Sequence, residues 1–209
     1  MTDTATTALG TLRYDLPHPD RFTTEQVGWV PWLEPPAKDD LTERQLTGLD
    51  DERRANSPYF RLLARDPELL LNRTRTDKGI FYNEDAGAPR ADRELAAAVA
   101  SRLNGCVFCA SVHARFAGKL SRREDDVARL LEEGVEADLG SRWNAVKAAA
   151  IALTQTPIAL TSAHVEALRA EGFDELSILD VLQGASFFNN ANRLMLTLGR
   201  AVQPGVELP

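Results

Sequence analysis

ELAAAVASRLNGCVFCASVHARFA, residues 94–117, holds both cysteines of the 209-residue chain, Cys106 and Cys109, and one of its three histidines, His113. The first half is alanine-rich with apolar residues at helical spacing, and Asn104-Gly105 is a stop signal. A second helix is predicted to begin near Cys106 and run to about Leu120. On it Cys106 and Cys109 lie at i and i+3, and His113 lies at i+4 from Cys109, so all three share one face. If the Asn104-Gly105 turn folds the first helix back, Glu94 comes level with His113 across the antiparallel pair.

Outward from this hairpin the pattern stays helical from about residue 41 to 200. Ser57-Pro58 and Asp66-Pro67 each pair a cap residue with proline at the first helical position. Ser121 and Glu124 have capping-box spacing ahead of a helix that Gly134 closes, and Gly172 ends the helix in TSAHVEALRAEG. FDELSILDVLQGASFFNNANRLMLTLG supplies the last long helix. No segment alternates with period two between hairpin turns, so the fold class is all-α. A weak echo links residues 94–120 with 175–199, FCASVHAR against FNNANR, and raises a repeated helical hairpin.

The N-terminal arm differs. Pro17, Pro19, Pro31, Pro35 and Pro36 forbid long helices before residue 40. Trp29 and Trp32 in this extended segment call for a surface to lie on, either the chain's own domain or a neighbouring subunit. The organisation expected is an arm and leading helix over 1–55, a helical domain over 56–203 and a tail over 204–209.

Lys and Arg total 24 against 31 Asp and Glu, a formal charge of -7. That balance argues against a nucleic-acid or anionic-membrane partner. The start lacks an apolar signal segment, and no run approaches the ~18 apolar residues that span a bilayer. A soluble, cytoplasmic protein is expected, where a CxxC pair is catalytic or metal-binding rather than a structural staple.

Three readings of CVFCASVH stay open on the residues alone. A thiol in a first helical turn lies beside unpaired N–H groups and the positive end of the dipole, which favours the thiolate that attacks peroxides and disulfides. The second cysteine then captures a sulfenic acid as a disulfide, an imidazole moves the proton, and Glu94 orients the imidazole. Zinc wants four ligands and this face supplies three at most, His18 lying in the arm and His164 on another helix. Two buried cysteines are also ordinary small hydrophobes.

The spacing of Glu94, eleven residues, Cys106, Cys109, three residues and His113 resembles the AhpD-like superfamily, which includes alkylhydroperoxidase D and the carboxymuconolactone decarboxylase family. It looks closest to the peroxidase-related branch, and ASFFNNANRLMLTLG looks like that family's closing helix. The resemblance implies an AhpD-like helical bundle, assembled as dimers, trimers or hexamers, with thiol-dependent peroxidase activity on hydrogen peroxide or organic hydroperoxides. It implies Cys109 as the peroxidatic cysteine, Cys106 as resolving, His113 and Glu94 as the proton relay, no cofactor or metal, and an external dithiol or disulfide reductant. Some alkylhydroperoxidase D proteins have a histidine where this chain has Phe108, which leaves the pocket more apolar here. Thiol–disulfide exchange without peroxide specificity, or a non-catalytic helical scaffold, are the alternatives.

Overall fold

The computed structural model describes residues 4–7 and 10–208. Among them the helices are α1 (Glu43–Leu49), α2 (Pro58–Leu63), α3 (Pro67–Phe81), α4 (Arg90–Leu103), α5 (Val107–Ser121), α6 (Glu124–Glu133), α7 (Ser141–Thr154), α8 (Ser162–Ala170) and α9 (Glu175–Leu198). Four short strands accompany them: β1 (Thr4–Thr6), β2 (Leu12–Tyr14), β3 (Gly28–Pro31) and β4 (Gly199–Val202). No described helix is long and apolar enough to cross a membrane. The chain divides into two compact units: one of Asp20–Gln26 and Ile80–Leu194, the other of the described residues before Asp20, Val27–Gly79 and those from Met195.

In the first of these units α4 is the central element. Every residue from Asp92 to Ser101 is buried, so this helix is enclosed on all sides. Ala96, Ala97, Ala98 and Ala100 leave room for close neighbours, and α4 packs against α5 and α7. α9 also approaches closely: a Cβ on its Gly184 would lie 2.9 Å from Arg93 O. Asp92 ties α4 to α7, accepting from Arg142 Nη2 at 2.7 Å and Trp143 Nε1 at 2.9 Å. α4 ends at Asn104, Gly105 takes φ +80°, and α5 begins one residue after Cys106.

Two sequence expectations are corrected here. Ser121 is the last residue of α5, its hydroxyl donating back to Ala117 O at 2.6 Å, and the N-cap of α6 is Arg123. The capping box does not form, because a left-handed Arg122 (φ 59°) ends α5 one residue later than the spacing implied. The repeated hairpin does not form either. Residues 94–120 make two helices around Gly105, whereas 175–198 run as the single helix α9, whose Gly184 carries no turn.

In the other unit the proline-rich arm is folded rather than merely extended. β3 pairs antiparallel with β4, from Gly28 opposite Val202 to Pro31 opposite Gly199. Trp29 is 4% exposed, meets Tyr59 edge-on at 5.4 Å and donates from Nε1 to Met195 O at 3.4 Å. It therefore lies on its own chain, while Trp32 stays 38% exposed. Val30 and Val202 pack with Leu16, and Leu41, Leu49, Ala55, Ala64 and Leu70 form a second apolar cluster. The strand pair depends on a missing side chain: a Cβ on Gly199 would lie 2.2 Å from Val30 O and 2.3 Å from the Trp29 ring. Gly199→Ala is expected to lower stability by about 2 kcal/mol, measured by urea unfolding, because neither the backbone oxygen nor the buried indole can yield cheaply.

Candidate active site

Cys106 is the N-cap of α5, and the helix places Cys109 and His113 on the same face one and two turns on. All four candidate residues are buried: Glu94 is 1% exposed, Cys106 2%, Cys109 3% and His113 7%. The two cysteines are reduced thiols.

Glu94 lies in the first turns of α4, and the antiparallel return brings His113 to it. Glu94 Oε2 lies 2.6 Å from His113 Nδ1, while Oε1 accepts from Arg90 Nε at 3.0 Å. One carboxylate thus holds an imidazole on one oxygen and a guanidinium on the other. With Nδ1–H donating to the Glu94 carboxylate, His113 Nε2 is left as the position that accepts or returns a proton. Aromatic rings fix the imidazole: Phe188 meets it at 3.8 Å between centroids and Phe81 at 5.2 Å. Arg90 is likewise fixed, over Tyr82 at 4.1 Å and Phe116 at 5.0 Å. Phe81, Tyr82 and Arg90 also line a cavity of ≈ 550 Å³ beside the loop 83–89.

At the other end the contacts converge on Cys106. The Cys109 thiol, hydrogen-bonded to the Cys106 sulfur, is the largest influence holding Cys106 below the usual thiol range. Burial opposes this, and the backbone N–H of Cys109, the Asn192 side chain and the backbone N–H of Phe108 reinforce it. The two backbone N–H groups belong to a helix start, beside a sulfur in the N-cap position. These contacts favour negative charge at Cys106 over an ordinary buried thiol.

Asn192, on α9, is 0% exposed and belongs to a run of carboxamides. Its Nδ2 donates to Ser101 Oγ at 3.0 Å, and its Oδ1 accepts from Asn104 Nδ2 at 3.1 Å. Asn104 Nδ2 also donates to Asn189 Oδ1 at 3.1 Å.

The structure brings Glu94 to His113 and Cys106 to Cys109, and sets Phe108 half-buried at the start of the same helix. His18 lies elsewhere, against Arg200, and His164 receives the Thr161 N–H at the start of α8. Among the described residues no group of three or more His, Cys, Asp or Glu is arranged to hold a metal ion. Sequence reasoning missed Arg90 and Asn192. Signals existed for both: Arg90 stands at i−4 from Glu94, and Asn189, Asn190 and Asn192 interrupt an otherwise apolar helix.

Residues 67–152 match the carboxymuconolactone decarboxylase family. No curated protein matches the chain. Among solved structures it is similar to an uncharacterised peroxidase-related protein with an alkylhydroperoxidase AhpD core from Ralstonia eutropha JMP134, at 21% identity and TM-score 0.65 over 78% of this chain and 87% of that one. It is similar to an uncharacterised peroxidase-related protein from Silicibacter sp. TM1040, at 24% identity and TM-score 0.62 over 78% and 84%. A third likeness is to the debrominase Bmp8 in complex with 2,3,4-tribromopyrrole, at 18% identity and TM-score 0.62 over 78% and 87%. At these identities the likeness is one of fold. Residues 67–152 are thus similar to the carboxymuconolactone decarboxylase family, and the chain has the all-α, AhpD-like fold.

Proposed function

We propose that the protein is a thiol-dependent peroxidase that reduces hydrogen peroxide or organic hydroperoxides through a Cys106–Cys109 dithiol–disulfide cycle. The observation that carries this reading is the buried Glu94–His113 contact on the helix face shared by two reduced cysteines, one of them held toward thiolate. His113 Nε2 takes the Cys109 thiol proton, which leaves Cys109 as the thiolate while Cys106 keeps its own proton. The Cys109 thiolate attacks the peroxide, the O–O bond breaks, and Cys109 becomes a sulfenic acid. His113 gives its proton to the departing alkoxide, releasing an alcohol, and Glu94 steadies the imidazole through the change. Cys106 then displaces hydroxide from the sulfenic acid; with the remaining proton this leaves as water, and the disulfide forms. An external dithiol returns two electrons and two protons.

Phe81 and Phe188 give this site apolar walls, which favour a small neutral hydroperoxide over a charged one. A reducing cytoplasm is the compartment in which such a pair is regenerated, and a homo-oligomer is the assembly proposed. Thiol–disulfide exchange is the second reading, favoured by the lowered Cys106 thiol at a helix N-cap, since such a thiol attacks a disulfide without peroxide. The two are separated by treating reduced protein with one equivalent of hydrogen peroxide and analysing peptides by mass spectrometry. A loss of two hydrogens confined to the peptide with Cys106 and Cys109, within seconds, is expected. A peptide left unchanged by peroxide but oxidised by a small disulfide would sink the peroxidase reading.

A further inference from the structure

Of the two groups that hold the Glu94 carboxylate, only Arg90 carries a permanent charge. Arg90 Nε donates to Oε1 at 3.0 Å, and Nη2 stands at the same 3.0 Å from that oxygen without the alignment of a second hydrogen bond. The guanidinium is held over Tyr82 at 4.1 Å and Phe116 at 5.0 Å, which keeps it in place beside the carboxylate. Exposure falls from one side chain to the next: 25% for Arg90 against 2% for Glu94, with His113 at 8%. Arg90 is therefore the end of this chain of contacts that meets solvent, in the wall of the ≈ 550 Å³ cavity beside the loop 83–89.

The other charged groups on these helices are engaged elsewhere. On α4, Asp92 accepts from Arg142 of α7, and Arg93 donates to Ile80 O and Asn83 O within reach of the Asp180 charge. On α5, Arg115 donates to Thr24 O and Lys119 is exposed, as is Glu84 in the cavity wall. Lys147 of α7 donates to Ala137 O, Glu175 of α9 pairs with Arg169, and Arg193 donates to Asn189 Oδ1 and Thr156 Oγ1. With His113 neutral, Arg90 is then the cation among the described residues that offsets Glu94 by direct contact. A buried carboxylate stripped of its counter-charge draws a proton instead. If that proton settles on the carboxyl, the acid donates to Nδ1 and the ring proton moves to Nε2. If it settles on the ring, both nitrogens carry protons. Either way Nε2 is occupied and can no longer accept.

We infer that Arg90 is a positioning residue of the proton relay: its guanidinium keeps Glu94 a carboxylate, which holds the His113 proton on Nδ1 and leaves Nε2 bare to take the Cys109 proton. This role deepens the peroxidase reading and rests on it for the part played by His113 as base. The protonation of Nε2 in the reduced protein is nevertheless read without any peroxide.

Arg90→Ala removes the charge and leaves a helix-favouring residue at the first position of α4, whereas Arg90→Lys keeps the charge. Nitrogen NMR of the full, reduced chain with isotope-labelled histidine reads the ring protons at neutral pH, the His113 signals being assigned by their absence from His113→Gln. A bare Nε2 is expected in the native protein and in Arg90→Lys, and a protonated Nε2 in Arg90→Ala. Oxidation by hydrogen peroxide is expected to slow about tenfold in Arg90→Ala. Guanidinium at tens of millimolar, small enough for the space that Arg90 vacates, is expected to restore at least about a third of the lost rate, and sodium chloride of equal ionic strength none. A folded Arg90→Ala in which Nε2 stays bare overturns the role of Arg90, and so does a native protein in which Nε2 is protonated. If Arg90→Ala does not fold, Arg90→Gln, which keeps a donor without the charge, is read in the same way. The expected change at Nε2 in a protein inert to peroxide retains the role of Arg90 and removes only the peroxidase reading.

Discussion

Replacing Cys109 with serine lowers peroxide consumption, with an external dithiol present, by at least about a thousandfold, since a serine hydroxyl neither ionises near neutrality nor holds a sulfenic acid. The fold is expected to survive, because serine is close to cysteine in volume and Cys109 lies on a helix face among other small residues. Cys106→Ser should behave differently. With Cys109 retained, the protein consumes one equivalent of peroxide and stops at a trappable sulfenic acid, seen as a dimedone adduct at Cys109. If Cys109→Ser turns over peroxide undiminished, the proposed cycle is wrong. If instead the adduct appears on Cys106 in Cys109→Ser, the two cysteines exchange roles, in keeping with the contacts that hold the Cys106 thiol below its usual range.

Glu94→Leu is expected to cost about 3 kcal/mol of stability in addition to activity. The carboxylate is 1% exposed and answers two donors, His113 at 2.6 Å and Arg90 at 3.0 Å. Removing it leaves a buried imidazole N–H and a guanidinium facing an apolar side chain, and an uncompensated charge in the interior is costly. Glu94→Gln separates the two effects. The amide oxygen still accepts from Nδ1 and preserves the ring orientation, so stability falls by less, while loss of the carboxylate charge slows proton delivery by about a hundredfold. Urea unfolding and peroxide turnover on the same samples check both, and a Glu94→Gln protein with full turnover would remove Glu94 from the proton relay.

The helices were legible in the sequence because their signals are local. Proline after a cap residue at Ser57-Pro58 and Asp66-Pro67, the Asn104-Gly105 stop, and glycines at 134 and 172 mark ends that the structure keeps to within a residue or two. Where a local signal was ambiguous, packing decided: Ser121 suits either a cap or a last turn, and the run of α5 through Ala117 and Gly118 made it the latter. The echo between 94–120 and 175–199 failed for a similar reason. Asn104-Gly105 breaks one segment, whereas Gly184 in the other serves a close helix crossing over Arg93 O and stays helical.

The sequence by itself determined the order of helices, the common face of Cys106, Cys109 and His113, and the level at which Glu94 meets His113. Each follows from covalent spacing along one or two adjacent helices, where 3.6 residues per turn leaves little freedom. The tertiary structure alone brought Asn192 of α9 to Ser101 and Asn104 at the turn leading into Cys106, contacts across 91 and 88 residues. It alone placed Trp29 on the chain's own Met195 carbonyl, a contact across 166 residues. Contacts of that separation are set by how whole elements pack, and neither periodicity nor capping carries information about them.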